Sequence, residues 1–255
     1  MYVKNSIRSL KNLMHSMKQN KNYLFLFRIK YHIMISLICK KESKKNRVKE
    51  NRVEELDEIE LLYINLDSRK DRQIHMTKEL TRLNIRNFRR IQGLSHLNGS
   101  LGCALSHIKA IEAWNDTESR ILWISEDDIQ FFSTKSELNE LIREFQNTTF
   151  LSVLCLGNVV KYNQVKVSNN LSASNNIQTT SCYLVKANMV PLILKSFLKS
   201  KEALLSGVPS SSASIDVVWK ELQSKYIFCF PNKNFVLQIP SYSDIEKRNV
   251  NYFNL

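Results

Sequence analysis

The run Ile121-Leu122-Trp123-Ile124 is apolar at every position, and this constrains the fold more than any other stretch of the chain. A run rich in Ile and Trp reads as a buried strand. Directly behind it come Glu126-Asp127-Asp128. These carboxylates fall where a strand leaves its sheet and can meet a ligand. Neighbouring carboxylates repel one another, so clustering them makes ionisation harder. A divalent cation relieves that repulsion, and hard oxygen donors suit Mg²⁺ or Mn²⁺. A metal in the crevice at a strand's C-terminal end is a common grip on a diphosphate. A solvated acidic turn is the plainer reading of the same three residues.

From Leu56 onward, strand and helix patterns alternate. Glu60–Leu66 reads as a strand, followed by the polar turn Asp67–Arg72 and a helix to about Leu83. Asn87–Ile91 is a short strand, Gly93–Gly102 a loop and Cys103–Trp114 a helix. Beyond the acidic cluster come a helix over Ser136–Phe145 and strands at Phe150–Leu156 and Thr180–Val185. Helices follow over Ala187–Leu198 and Ile215–Lys225, then late strands at Ile227–Phe230 and Phe235–Ile239. The Ser/Asn-rich stretches Val167–Asn176 and Ser206–Ser214 read as loops. The alternation predicts an α/β fold with a mostly parallel central sheet and flanking helices.

The net charge of +13 suggests nucleic acid or another acidic surface, but its distribution does not. Of 37 basic and 24 acidic residues, 14 and two lie within residues 1–52, leaving 23 and 22 in the rest. The chain therefore divides into a basic leader, 1–52, and a near-neutral body, 53–255. A nucleic-acid partner is not expected, because no basic-aromatic patch lies outside the leader. The apolar leader segment 23–39 is interrupted by Arg28, Lys30 and His32. Charges at the centre of a span cost a few kcal/mol each. The segment thus reads as a membrane-surface helix or a helix packed on the body, in a cytoplasmic or peripherally membrane-bound protein, with a single-pass signal anchor as the remaining alternative. The five cysteines are scattered without a Cys-x-x-Cys pair, which indicates neither a zinc site nor a disulfide framework. Four of them, Cys103 included, read as buried thiols.

Two further blocks bear on chemistry. Asn65-Leu66-Asp67-Ser68-Arg69-Lys70-Asp71-Arg72 closes the first strand. Arg69 and Arg72 share a side if a helix starts there, and guanidinium forks bind phosphates and stack on bases. A helix-start turn with surface charges is the simpler alternative. In Gly99-Ser100-Leu101-Gly102-Cys103-Ala104-Leu105-Ser106-His107, glycines before a helix free its first amides for an anion. His107 would otherwise be a core histidine bonded to a backbone carbonyl.

In this order and spacing, Asn65-Leu66 with Arg69 and Arg72, then Gly102–His107, then Ile124–Ile129 resemble glycosyltransferase family 25. That family contains lipooligosaccharide and collagen galactosyltransferases. The likeness covers about residues 58–245, with weaker later blocks at Thr180–Val185, Ile215-Asp216 and Ser241–Ile245; the leader lies outside it. The resemblance implies a GT-A-like nucleotide-diphosphosugar fold. It also implies inverting, metal-dependent transfer of a hexose, galactose or glucose, from a UDP-sugar to a glycan, lipid or protein acceptor. It places the donor against Asn65, Arg69, Arg72, Ser106 and His107. Asp128, with Glu126, would hold Mn²⁺ or Mg²⁺, the two projecting together from an extended segment. Glu126 or Asp127 would meet the ribose or a metal-bound water. Asp216 and Asp244 are the candidates for the base on the acceptor hydroxyl, although Asp216 also suits a helix N-cap. Many sugar transferases of that fold carry a late histidine on the metal, whereas the last histidine here is His107. A catalytically silent glycan- or partner-binding module is the competing class. A phosphoryl or nucleotidyl transferase is a further alternative, unsupported by any Gly-x-x-x-x-Gly-Lys loop.

Overall fold

The computed structural model describes residues 25–34, 53–114, 119–160, 164–245 and 247–251. Residues 25–34 form helix α1. The body begins with β1 (Leu61–Asn65), α2 (Lys70–Arg82), β2 (Phe88–Gln92), α3 (Gly99–Trp114) and β3 (Ile121–Glu126). Next come β4 (Ile129–Phe131), α4 (Lys135–Asn147), β5 (Leu151–Val160), β6 (Val165–Lys166), β7 (Leu171–Ser174) and β8 (Ile177–Lys186). The last part holds α5 (Val190–Leu205), α6 (Ser210–Ala213), α7 (Ile215–Val218), α8 (Lys220–Gln223), β9 (Ile227–Pro231), β10 (Val236–Gln238), β11 (Ser241–Ser243) and β12 (Arg248–Val250).

Eight strands form one sheet in the order β2-β1-β3-β8-β5-β9-β7-β6. β1 is buried along its whole length, and so are the apolar residues of β3. Their alternating side chains feed two cores. Leu61, Tyr63 and Trp123 pack with Met76 and Leu80 of α2 and Leu138 and Leu141 of α4. Leu62, Ile64, Leu122 and Ile124 pack with Ile108 and Ile111 of α3 and Ile193 and Phe197 of α5. Helices therefore cover both faces, as the doubly apolar strands require. Removing a side chain such as Leu122 or Trp123 from water stabilises the fold by roughly 2–3 kcal/mol each.

The expectation of an α/β sheet with flanking helices is met, but its mostly parallel character is corrected. β1 pairs in parallel with β2 and β3, and β5 with β9; the other four pairings of the sheet are antiparallel. The chain between β5 and β8 is taken up by the short strands β6 and β7. A parallel neighbour needs a crossover of a dozen or more residues, usually helical, so β8 joins antiparallel.

The chain passes over opposite faces on its two sides of β1. It reaches β2 through α2 on one face, then β3 through α3 on the other. A crevice therefore opens outside the C-terminal ends of β1 and β3, where α/β sheets receive ligands.

Several boundaries differ from expectation. α3 starts at Gly99, not Cys103, with Asn98 Oδ1 accepting from the Leu101 N–H at 3.3 Å. The Val167–Asn176 stretch contains β7, whose Leu-Ser-Ala-Ser sequence hides a fully buried strand behind small polar residues. Ser210–Ala213 is a helical turn, and the expected helix 215–225 divides into α7 and α8. The hairpin of β11 and β12 was not expected.

Of the leader, residues 1–24 and 35–52 lie outside the described residues. α1 packs on the body through buried Phe25 and Ile29, and Arg28 donates to the backbone carbonyls of Ser224, at 2.8 Å, and Lys225. Among the described residues no helix is long and apolar enough to cross a membrane.

Candidate functional site

β1 ends in Asn65 and β3 in Glu126, with Ile64 and Glu126 opposite one another in the parallel register. Glu126 is the last strand residue; Asp127 and Asp128 make the turn into β4. This corrects the expected extended segment. The turn separates the three carboxylates: Asp127 and Asp128 face Arg72, and Glu126 faces His107.

Asp127 Oδ2 accepts from Asn65 Nδ2 at 2.6 Å, and its Oδ1 lies 3.1 Å from Arg72 Nη1. The Asn65 amide is fixed from its other side, because Arg90 Nε donates to Asn65 Oδ1 at 2.8 Å. Asp128 Oδ2 lies 3.2 Å from the same Arg72 Nη1, and Gln238 Nε2 donates to its Oδ1 at 3.3 Å. One guanidinium thus serves two buried carboxylates. Burial, and then the charge of Glu126, pushes the Asp128 carboxyl up to about 7. Burial likewise raises Asp127, opposed by Arg72 and Asn65.

Glu126 turns toward α3. Its Oε1 lies 3.4 Å from His107 Nε2, while His107 Nδ1 lies 3.0 Å from the Tyr183 hydroxyl. The His107 ring stacks on Tyr183 and meets the edge of Phe197. His107 is therefore buried, as its plainer reading holds, but its partners are Tyr183 and Glu126 instead of a backbone carbonyl. Cys103, one turn earlier on α3, brings its Sγ to within 4.8 Å of both the His107 and Glu126 donor atoms.

The opposite wall comes from the β11–β12 hairpin. Arg72 Nη2 donates to Ser241 Oγ at 2.7 Å and to the Tyr242 carbonyl at 2.9 Å. Arg69 Nη1 donates to the Tyr242 carbonyl at 3.0 Å and pairs with Asp244 Oδ2 at 2.7 Å. Arg69 also grips Asp71 through both Nε and Nη2, which holds the Asp71 carboxyl down at about 2. Among the described residues the buried Arg72 Nε–H has no acceptor.

These groups line a cavity of about 230 Å³. It brings together Arg69, Arg72, Ser106, His107, Glu126, Asp127, Asp128 and Asp244, with Asn65 just behind. Asp216 is not on its wall. It lies in the first turn of α7, where its Oδ2 accepts from the Thr179 N–H at 3.4 Å. That N–H is presented by a left-handed backbone, φ 72°, rare for a β-branched residue. Asp216 is not the N-cap, which is Ser214. Burial raises its carboxyl. Ser106 lines the cavity but is spent on the loop above it: its Oγ donates to the Gly102 carbonyl at 2.7 Å and accepts from Leu94 N at 2.8 Å.

The glycines have a different job from the one their spacing suggested. Gly102 lies inside α3, and a Cβ there would sit 2.7 Å from the Leu94 carbonyl oxygen. Its role is to let the 94–96 loop close over the helix. Gly102→Ala is therefore expected to lower stability by about 1–3 kcal/mol and to displace the loop; urea denaturation checks the first, and a shift in Leu94–His96 amide resonances the second.

Sequence reasoning missed Cys103, Tyr183, Gln238 and the hairpin carbonyl of Tyr242. Cys103 and His107 carried a visible signal, since residues four apart share a helix face. The others come from distant segments, and no local pattern marks them. No protein-family model matches this chain, and no curated protein matches it significantly.

Proposed function

We propose that the protein is a glycosyltransferase with a GT-A-like fold that moves a hexose, galactose or glucose, from a UDP-sugar to a hydroxyl of a glycan, glycolipid or hydroxylysine-type acceptor. The observation that carries this reading is the convergence of Arg69, Arg72 and Glu126-Asp127-Asp128 on one cavity at the C-terminal ends of β1 and β3. The block order that resembles glycosyltransferase family 25 supports it.

The residues fit a hard divalent cation in chemistry. Carboxylates of Glu126 and Asp128 line the cavity, and Asp127 and Asp128 share the single cation of Arg72. Mn²⁺ or Mg²⁺, when bound there, would neutralise charge on the departing diphosphate. The chain's own groups do the rest. Arg72 offers its unpaired Nε–H to a phosphate oxygen. Asn65 holds Asp127 in a fixed orientation, so that its carboxylate can accept from a ribose hydroxyl. Asp244 is on the cavity wall and takes the proton from the acceptor hydroxyl as it attacks with inversion; Asp216 is off that wall and supports β8.

A calorimetric comparison of UDP, GDP and CMP, each with Mn²⁺, tests the reading. UDP is expected to bind at least ~10-fold more tightly than the other two, and UDP-galactose or UDP-glucose to release UDP when an acceptor is supplied. Absence of UDP binding would overturn the proposal. UDP-sugar binding without turnover would overturn the catalytic part and indicate a binding module.

A further inference from the structure

We infer that Cys103, His107 and Glu126 form a site for a thiophilic divalent cation of the Zn²⁺ class, with a fourth position open to the cavity. This inference stands apart from the sugar-transfer reading, because it rests on the donor set alone.

The three donors come from two rigid elements. Cys103 and His107 are four apart on α3, and Glu126 ends β3. Their ligand atoms, one sulfur, one imidazole nitrogen and one carboxylate oxygen, all lie within 4.8 Å of one another. Four-coordinate zinc sites are built from these three donor types, and those that bind a substrate or water use three protein ligands with one vacancy. Cys103, His107 and Glu126 all line the cavity, which supplies the vacancy.

The surroundings of the histidine support the assignment. A metal-bound imidazole characteristically engages a hydrogen-bond partner through its other nitrogen, which fixes tautomer and ring orientation. Here the Tyr183 hydroxyl sits 3.0 Å from His107 Nδ1, and stacking on Tyr183 locks the ring with Nε2 toward Glu126. Glu126 differs from its two neighbours in charge pairing. Asp127 and Asp128 share Arg72, whereas among the described residues Glu126 has no arginine or lysine partner. Its negative charge is the one left for an ion. On binding, Cys103 enters as thiolate and its proton leaves to solvent. A sulfur donor favours Zn²⁺, Co²⁺ or Cd²⁺ over Mg²⁺ and Mn²⁺, so this site differs in preference from an all-carboxylate one, although Glu126 belongs to both.

The test is titration of the full-length, metal-free protein with Zn²⁺, Cd²⁺ and Mn²⁺, followed by calorimetry and, for Cd²⁺, by thiolate-to-metal charge-transfer absorption. One equivalent of Zn²⁺ is expected to bind at least ~100-fold more tightly than Mn²⁺. Cys103→Ser is expected to abolish the charge-transfer band and weaken Zn²⁺ binding by at least ~10-fold. Tyr183→Phe, which retains the ring and loses the hydroxyl, is expected to weaken it ~10- to 100-fold with the band intact. Circular dichroism of each variant separates loss of a ligand from loss of fold. Failure of the folded wild type to take up Zn²⁺ in preference to Mn²⁺, or a Cys103→Ser protein that keeps both band and affinity, would overturn the inference and leave Tyr183–His107–Glu126 as a hydrogen-bond relay. UDP calorimetry on the Cys103→Ser protein, which keeps Glu126 and Asp128, tells the two proposals apart: UDP binding with Mn²⁺ should persist there while Zn²⁺ binding weakens.

Discussion

Arg72→Ala is expected to destabilise the ligand-free protein by about 3–5 kcal/mol near neutral pH. Arg72 is largely buried, and its one Nη1 lies within 3.2 Å of both Asp127 and Asp128, themselves buried. Removing it leaves two largely buried carboxylates on the cavity wall without a counter-charge. It also cuts the donations to Ser241 and to the Tyr242 carbonyl, which tie the hairpin to α2. The loss should depend on pH with a definite sign. Without the guanidinium, both carboxyls hold protons to higher pH in the folded state than in the unfolded one. The folded state then binds the extra protons, and stability falls as pH rises. Urea denaturation should therefore show a smaller deficit at about pH 5 than at about pH 7.5. A deficit below about 1 kcal/mol at both would mean that the two aspartates are solvated and that the pairing contributes little.

Asp128→Asn should act oppositely on stability and on activity. Burial and Glu126 push the Asp128 carboxyl up to about 7, above its unfolded range near 4. A carboxyl raised in this way binds its proton more tightly in the folded protein. Its unfavourable contribution is absent at low pH and grows as pH climbs through the interval between the two values. Asparagine keeps the shape and cannot ionise, so the variant should gain on the order of 2–4 kcal/mol at about pH 7.5 and almost nothing at about pH 4. The same substitution removes a carboxylate assigned to the cation, and UDP-sugar turnover should fall about 100-fold or more. A variant that keeps full turnover would end the assignment of Asp128 to the metal. Because Arg72 and Asp128 touch, their effects should not add: Asp128→Asn should recover part of the stability lost in Arg72→Ala.

The layered architecture was legible in local signals, and so were several of the residues that meet in the cavity. The apolar runs at Leu61–Ile64 and Ile121–Ile124 identify strands covered on both faces, and the polar residues that end them identify the crevice. Arg69 and Arg72 meet the acidic cluster at the cavity because they follow the end of β1 and the cluster ends its neighbour β3. The direction of β8 was not legible, since it depends on the absence of a crossover helix and on pairing across the sheet. The separate orientations of Glu126, Asp127 and Asp128 were hidden too: three acids in a row give no sign of whether they continue a strand or turn. Asp216, a candidate base in the sequence, accepts from the Thr179 N–H and lies off the cavity wall; a short helix after a serine-rich segment gives no indication of which way it faces. The hairpin of β11 and β12 is made of three-residue strands rich in Ser, Asn and Tyr, without the apolar alternation that would mark them.

That hairpin has a consequence for how the protein should respond to its ligand. Arg69 and Arg72 bind backbone and side chains 169 to 175 residues further along the chain. The cavity is therefore walled by elements nearly as distant in sequence as the described body allows, with seven of the sheet's eight strands lying between them in the chain. A molecule held by both walls cannot remain bound to a half-folded chain. Its binding energy is thus coupled to the integrity of the entire sheet, and occupancy should raise the midpoint of global unfolding in proportion to the logarithm of ligand concentration.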